Sequence, residues 1–139
     1  MCDRTVLCVS GPDAKSFLQN LVTNDVTKLD SNIIYSALLT PQGKLVTDFF
    51  LIEMGKDILI DVQSLVSDTL VKLLNLYKLR AEISIEKTDL KVSTGLNNKP
   101  HKSFDDPRHP KMGWRYYSNE DCSEKNIDWE KIRIENLIP

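Results

Sequence analysis

Three closely spaced apolar runs in the first half of the chain constrain its fold more than any other feature. The runs at residues 33–39, 45–54 and 57–62 are rich in isoleucine, valine, leucine and phenylalanine, which favour β-strands. Residues 40–43 (Thr-Pro-Gln-Gly) separate the first two runs and have the proline and glycine positions of a type I turn. Residues 54–56 (Met-Gly-Lys) close a second hairpin. The stretch therefore predicts three consecutive strands.

Two aspartates interrupt these apolar runs. Side chains alternate along a strand, so Asp48 is expected to share a face with Val46, Phe50 and Ile52. Asp61 interrupts the third run in the same way. A carboxylate on an apolar face costs free energy unless a partner compensates its charge. Two interpretations remain open. Each aspartate lies near a strand end or meets a hydroxyl or a cation, or the two mark a ligand pocket on this sheet.

Helical and strand patterns flank the three runs. The i, i+3, i+4 spacing of apolar residues predicts an amphipathic helix over 12–22 and a second one over 64–77. Strands are predicted at 5–9, 79–86, 90–96 and 114–117, and a final helix from near residue 127 with Trp129, Ile132 and Leu137 turned inward. This order predicts an α+β fold, a mostly antiparallel sheet with two to three packed helices.

The predicted elements divide the chain into three stretches. Residues 1–96 form an α+β domain, and residues 97–112 form a loop because Pro100, Pro107 and Pro110 forbid regular structure there. Residues 113–139 carry a short strand and the last helix. At 139 residues the chain is long enough to bury a core of its own.

Composition excludes several classes of protein. The net charge is −2 and no basic stripe is present, so binding to duplex nucleic acid or to an anionic membrane is not expected. No apolar run approaches the roughly 20 residues that span a bilayer, and no signal or transit pattern opens the sequence, which favours a cytoplasmic location. Three cysteines without a Cys-x-x-Cys pair, and His101 and His109 without ligand partners, predict no disulfide framework and no metal site.

Catalytic motifs are missing from the sequence. No nucleophile triad pattern, phosphate-binding loop, dinucleotide fingerprint or His-Glu-x-x-His motif is present. The residues alone therefore predict a globular α+β domain and no catalytic group, and they leave a binding module and an interaction protein equally open.

A series of short motifs resembles the superfamily of YgfZ and the glycine-cleavage T-protein. Residues 11–19 (Gly-Pro-Asp-Ala-Lys-Ser-Phe-Leu-Gln), 21–26 (Leu-Val-Thr-Asn-Asp-Val), 35–44 (Tyr-Ser-Ala-Leu-Leu-Thr-Pro-Gln-Gly-Lys) and 48–50 (Asp-Phe-Phe) match its opening. Residues 77–80 (Tyr-Lys-Leu-Arg), 106–108 (Asp-Pro-Arg) and 113–115 (Gly-Trp-Arg) match the YgfZ-type branch in particular. The chain is similar to the amino-terminal half of such proteins, and the Lys-Gly-Cys-Tyr-x-Gly-Gln-Glu motif of the branch is absent.

The resemblance implies a folate site. A family tyrosine that lines the pocket matches Tyr35, a family glutamate that holds the pterin matches Glu135, and a family asparagine that contacts the pterin lies near Asp61. Asn24 is a further candidate, although it equally suits a capping role after the first helix. A carboxylate can accept two adjacent N–H donors of a pterin, and a tyrosine ring can stack on it.

The implied function is a tetrahydrofolate-binding accessory protein for the maturation or repair of iron–sulfur proteins. In the aminomethyltransferase branch a catalytic aspartate precedes the position of Asp48, and Thr47 stands there in this chain. A hydroxyl cannot carry the charge of a carboxylate, so no catalytic residue is expected. The alternatives are an aminomethyltransferase of the T-protein type and an interaction domain without a ligand. Expected partners are a folate, iron–sulfur client or assembly proteins, and a second copy of the chain.

Overall fold

The computed structural model describes residues 4–23, 33–40, 42–120 and 123–138. They divide into two compact units, the first ending at Asp89 and the second beginning at Leu90. Both units contain antiparallel sheets, and helices accompany them, so the predicted α+β class is confirmed. The strand predicted at 90–96 lies in the second unit and not with the domain predicted for 1–96, because it pairs with a strand near residue 116.

A five-stranded antiparallel sheet forms the centre of the first unit. Its strands are β1 (Arg4–Ser10), β2 (Ile33–Leu39), β3 (Leu45–Met54), β4 (Asp57–Gln63) and β5 (Ser84–Lys87). Their order across the sheet is β2-β3-β4-β1-β5. Because β1 inserts between β4 and β5, Arg4 lies next to residues more than 50 positions later.

Two tight turns set the register of β2, β3 and β4. The Gly43 N–H donates to the Thr40 carbonyl at 2.8 Å, the i to i+3 bond expected of the predicted turn. Gly55 has a φ of 63° in the two-residue loop between Met54 and Asp57, a conformation that glycine adopts at low cost. The three predicted strands and both hairpins are confirmed, while Pro41 lies outside the described residues.

Both helices of the first unit pack on one face of its sheet. Helix α1 spans Ala14–Gln19 and helix α2 spans Ser64–Tyr77. Side chains alternate along the strands, so every second residue points toward these helices and is buried. Burial of each large apolar side chain contributes about 1.5–3 kcal/mol to folding. Large side chains of this core that are almost completely buried include Leu7, Leu18, Leu51, Ile60 and Leu70.

Two predicted elements of the first unit are shorter than the sequence indicated. Helix α1 ends at Gln19 and not at residue 22, although Leu21 and Val22 still pack against the core. The strand predicted for 79–86 begins only at Ser84. Leu79 adopts a positive φ directly after α2, and a turn closes behind it, so the alternating residues 79–83 do not extend.

The second unit is a three-stranded antiparallel sheet with a short helix. Strand β8 (Trp114–Ser118) lies between β6 (Lys91–Gly95) and β7 (Phe104–Asp105). Gly113 has a φ of 74°, and a side chain there would collide with the Gly95 carbonyl oxygen. This position therefore requires glycine for two reasons, its backbone conformation and its close neighbour.

The last helix differs from its prediction. Helix α3 spans Trp129–Glu135, and none of its residues is fully buried. Leu137, predicted to turn inward, is 93% exposed, and Ile138 is buried instead. The cause is local, because Leu137 has a φ of 54° and breaks the helical period just before Ile138.

Candidate functional site

The sheet of the first unit has a second face, opposite the two helices, that combines aromatic and charged residues. Asp61 lies directly across from Phe50, and Phe50 lies directly across from Tyr35. Residues that oppose one another in an antiparallel pair project from the same face. The predicted ligand residues Tyr35 and Asp61 are therefore on one face, separated by Phe50. We call this group, with Arg4 and Asp48, the aromatic–acid face.

Asp61 is compensated by a cation that the sequence reasoning missed. Arg4 Nε donates to Asp61 Oδ1 at 2.7 Å, and Arg4 Nη2 donates to the Asp61 carbonyl at 2.8 Å. The Asp61 side chain is fully buried, whereas that of Arg4 is 21% exposed. The guanidinium also lies 5.7 Å from the centre of the Phe50 ring, within cation–π range. Of the two interpretations, the meeting with a cation is the one that the structure shows.

Asp48 is compensated by a hydroxyl. The Tyr35 hydroxyl donates to Asp48 Oδ2, and both residues are half-buried. The Tyr35 ring packs against Phe50 with 5.4 Å between centroids and a tilt of 54°. A half-buried phenol and carboxylate thus lie together beside a second aromatic ring, a combination that suits a flat polar heterocycle.

Thr47 and Asp48 point to opposite faces of β3. Leu38 pairs with Thr47 and Ala37 with Asp48, which is regular pairing, so the acid does not replace the threonine on its face. Thr47 is buried, and its hydroxyl donates to the Asp48 carbonyl at 3.1 Å. Thr47 therefore lies on the buried face of β3, and the Asp48 carboxylate does not take its place there.

The predicted neighbourhood of Asp48 is wrong at one position. Val46 was expected to share its face, but Val46 packs against the core on the side of the helices. A register shift between Leu38 and Leu39 places one extra residue in β3 at this point. Such a bulge reverses the alternation on one side of it, which is why a strict two-residue period failed there.

The other two predicted ligand residues are placed elsewhere or not described. Glu135 lies at the end of α3 in the second unit, 58% exposed, with its carboxylate 3.9 Å from Lys131 Nζ. Asn24 lies outside the described residues. The structure thus brings together Tyr35 and Asp61 of the four candidates.

The second unit has a polar cluster of its own, built on the Asp-Pro-Arg motif. Asp106 is buried and accepts from Arg108 through the backbone N–H at 2.9 Å, through Nε at 3.1 Å and through Nη2 at 2.9 Å. Arg115 Nη1 lies 3.8 Å from the same carboxylate, and Arg115 Nε donates to the Tyr117 hydroxyl at 3.3 Å. The cluster ties the loop before β8 to that strand.

Neither a metal cluster nor a membrane-spanning helix is found in the part of the chain that the structure describes. His109 Nδ1 accepts from the Lys111 N–H at 3.1 Å, a local cap of the short 3₁₀ turn at Pro110–Met112. Burial raises the pKa of the Cys8 thiol, and the negative charge of Asp57 adds to the rise. A raised thiol pKa opposes nucleophilic or metal-binding chemistry at neutral pH.

Arg4 can be recognised from the sequence as the partner of Asp61 only once the strand order is known. It precedes Val6 by two residues and therefore shares its face, and Val6 pairs directly with Asp61. That inference requires β1 to insert next to β4. Neither the composition nor the spacing of the chain gives this strand order.

The comparisons with known proteins agree with this fold. The family model described as the GCVT N-terminal domain matches residues 5–94. The chain therefore belongs to this family, as its motifs predicted. A solved aminomethyltransferase of the glycine cleavage system from Bartonella henselae has the same fold, with a TM-score of 0.61 and 17% identity, over 66% of this chain and 26% of that one.

Two groups of curated relatives are similar in sequence. The mitochondrial iron–sulfur cluster assembly factor IBA57 homologs of Pyricularia oryzae and Mycosarcoma maydis are 28% and 30% identical, each over 81% of this chain. The chain spans about a third of their lengths, 33% and 34%. An aminomethyltransferase of Chromobacterium violaceum is 48% identical over 46 residues, which is 32% of this chain and 13% of that protein.

Proposed function

We propose that this protein binds tetrahydrofolate and acts as an accessory protein in the assembly or repair of iron–sulfur proteins. Two relatives named as iron–sulfur cluster assembly factors match most of its length, whereas the aminomethyltransferase match covers about a third. The clients or assembly proteins that it serves are part of the proposal. So is membership of the YgfZ-type branch, which rests on the motifs at 77–80, 106–108 and 113–115.

The aromatic–acid face carries the folate part of the proposal. The residues there fit a pterin, since the half-buried Asp48 carboxylate can accept N–H donors and the half-buried ring of Tyr35, supported by the buried ring of Phe50, offers apolar surface. Asp61 would act by holding Arg4, because its own carboxylate is buried and bonded. When bound, tetrahydrofolate supplies a carrier for one-carbon groups. Glu135 and Asn24 stay predicted pterin contacts.

Calorimetry with the reduced folate tests this site. We expect Asp48→Asn and Glu135→Ala each to weaken binding about tenfold or more, the loss of a charge-assisted hydrogen bond of roughly 1.5–3 kcal/mol. Asp68→Asn, on α2, and Glu130→Ala, on the same helix as Glu135, are matched controls and should leave the affinity unchanged. Equal affinity of the parent and Asp48→Asn would remove the aromatic–acid face from the proposal, and an unchanged Glu135→Ala would remove Glu135.

A cellular assay tests the iron–sulfur part separately. The chain would be expressed in cells that lack their own family member, and the activity of enzymes with iron–sulfur clusters would be measured. Rescue by the parent and loss of rescue in Asp48→Asn would indicate that the iron–sulfur role requires the folate site on the aromatic–acid face. Folate binding without rescue would leave a folate-binding protein of another role, and rescue without folate binding would support an interaction domain without a ligand.

The aminomethyltransferase alternative makes a distinct prediction. With an aminomethylated lipoyl carrier and tetrahydrofolate as substrates, we expect no release of ammonia above the uncatalysed rate, because Thr47 supplies no carboxylate. Turnover that disappears in Asp48→Asn would restore this alternative. The Chromobacterium violaceum match is the observation that keeps it worth testing.

Self-association and compartment stay predictions from the sequence. The exposed apolar side chains of Leu65 and Leu137 are expected to promote association, and a monomer in sedimentation at high concentration would contradict this. A cytoplasmic location is expected from the sequence, whereas the names of the fungal relatives include the word mitochondrial. Imaging of a tagged full-length gene product decides between the two compartments.

A further inference from the structure

The turn that follows α2 holds an apolar side chain in water in a conformation that leucine rarely adopts. Leu79 has a φ of 44° and is 85% exposed. Leu79 directly follows Lys78, the C-cap of α2. Helices commonly place a glycine at the position after the C-cap, because a residue with a Cβ is disfavoured at positive φ. Strain of this kind persists only where the surrounding structure fixes it, and it is concentrated at functional sites.

Both sides of this turn are fixed to the rest of the first unit. Tyr77 and Ala81 pack against the hydrophobic core, and the Ala81 N–H donates to the Lys78 carbonyl at 2.7 Å. The Glu82 N–H donates to Asp13 Oδ2 at 2.8 Å, which joins the turn to the start of α1. Leu79 is therefore presented on a rigid support, and little conformational freedom remains to be lost when a partner binds.

A groove of about 470 Å³ lies beside this turn. Its lining includes Phe17 and Leu21 from the region of α1, together with Lys78, Leu79 and Arg80 from the turn. The exposed leucine and the apolar part of the groove together form a surface that can receive an apolar side chain. We call the turn 78–80 and this groove the α2-turn site.

The charge of the α2-turn site is basic. Within the described ranges the side chains of Lys78 and Arg80 take part in no ion pair or hydrogen bond, whereas Lys15 is paired with Glu53 on the same unit. Asp13 is the acidic residue in the lining, and it is engaged by the Glu82 N–H. Carboxylates on a ligand would therefore meet two cations beside an apolar contact.

We propose that the α2-turn site docks an acidic segment of a partner protein that carries one apolar anchor side chain. The anchor enters the groove and packs against Leu79, and flanking carboxylates face Lys78 and Arg80. The site lies on different residues from the aromatic–acid face. The inference therefore holds whether or not folate binds there.

A synthetic peptide in which glutamates flank a single leucine is the probe. It is titrated into the ¹⁵N-labelled 139-residue chain while amide shifts are followed. Saturable shifts are expected at residues 16–21 and 77–82, and they should weaken as salt is added. The same peptide with lysines in place of glutamates should give no saturable shifts, and the one with serine in place of leucine should bind about fivefold more weakly or worse.

Two variants of the protein test the two halves of the surface. Leu79→Gly removes the apolar contact and the backbone strain, so it should weaken binding about fivefold or more while the thermal midpoint stays unchanged or rises. Arg80→Glu should weaken binding at least as much, because it places a carboxylate opposite carboxylates. Leu65→Ser is the matched control: Leu65 is 92% exposed in the first turn of α2 and should not affect binding.

Four results of the peptide titrations would each overturn the proposal. They are the absence of saturation by the acidic leucine peptide, equal binding of the lysine peptide, equal binding by Leu79→Gly, and shifts confined to residues outside the α2-turn site. A self-association of the unliganded chain that disappears in Leu79→Gly would also overturn it, because the occupant would then be a second copy of this chain.

Discussion

Each of the two units buries an aspartate against an arginine, but the two pairs are assembled in different ways. In the first unit Arg4 reaches Asp61 from a residue 57 positions away, across neighbouring strands. In the second unit Arg108 reaches Asp106 from two positions away, within one loop. The first pair therefore depends on the topology of the sheet, whereas the second is already encoded in three consecutive residues.

The bonding of the two pairs differs accordingly. Asp61 receives one guanidinium bond on its carboxylate and one on its backbone carbonyl, so Arg4 ties side chain and main chain of β4 together. Asp106 receives one backbone and two guanidinium bonds from Arg108 and has Arg115 nearby. A short loop closes at less entropic cost than a long one, so the local cluster can form before the sheet around it.

The largest effect is expected when the local cluster loses its carboxylate. Asp106→Ala should cost about 4 kcal/mol, because Arg108 and Arg115, 12% and 8% exposed, lose a shared counter-charge. Urea unfolding followed by tryptophan fluorescence measures it, since Trp114 and Trp129 both lie in the second unit. Asp105→Ala is the adjacent control: its side chain is 79% exposed, and it should cost under about 0.5 kcal/mol. Similar losses of unfolding free energy in the two variants would show that the Asp106 cluster stabilises the second unit no more than an exposed pair does.

The long-range pair is expected to give the next largest effect. Arg4→Met should cost about 3 kcal/mol, because Asp61 is left fully buried without this cation. Asp61→Asn should cost less, about 1–2 kcal/mol, since the partly exposed Arg4 can turn toward water. Amide hydrogen exchange of β1 and β4 measures both, because residues 4–89 contain no tryptophan. The reverse order of the two losses would contradict the assignment of Arg4 as the compensating partner.

The hydroxyl–carboxylate pair on the same face should give a smaller effect. Tyr35→Phe removes the hydroxyl that donates to Asp48 and should cost about 1 kcal/mol, because Asp48 is only half-buried and can be hydrated. The same exchange measurement on β2 and β3 reports it. Tyr116→Phe, half-buried in the second unit, serves as a control for loss of a hydroxyl. A loss of stability as large as that of Arg4→Met would show that the side chains of the aromatic–acid face depend on one another more than their contacts indicate.

An exposed pair should give the smallest effect and sets the scale for the buried ones. The hydrogen bond from Lys87 lowers the pKa of Asp68 below its ordinary value of 3.8, with the charge of Lys87 adding to the shift. The folded state therefore prefers the carboxylate, and this stabilisation is present above pH 3.8 and is lost as the pH falls through the folded pKa. NMR titration should show the pKa returning toward 3.8 in Lys87→Met. An unchanged pKa would exclude Lys87 as its cause.

Much of the fold follows from local patterns in the sequence. The hairpins around Gly43 and Gly55 and the full length of α2 were predictable because turn residues and apolar periods act over a few positions. The errors have local causes that periodicity does not reveal. The positive φ of Leu79 prevents the predicted strand from starting at that residue. The positive φ of Leu137 turns a side chain that was predicted to lie in the core toward solvent.

The candidate site was less predictable than the fold because its chemistry is long-range. The aspartates were identified as anomalous from one strand each, and their compensation could be stated only as a choice between a hydroxyl and a cation. Tyr35 and Arg4 supply these two partners from other strands. Only the strand order β2-β3-β4-β1 brings them together, and no residue pattern specifies that order.

The bulge in β3 gives the first hairpin a tolerance to changes of length. Because Val46 is the extra residue between the pairs Leu39–Leu45 and Leu38–Thr47, a chain without it would restore one-to-one pairing. Thr47 and all later residues of β3 would keep their partners and their faces. Deletion of the single codon for Val46 would thus exchange one packing contact for a regular ladder and leave the acid of the aromatic–acid face where it is.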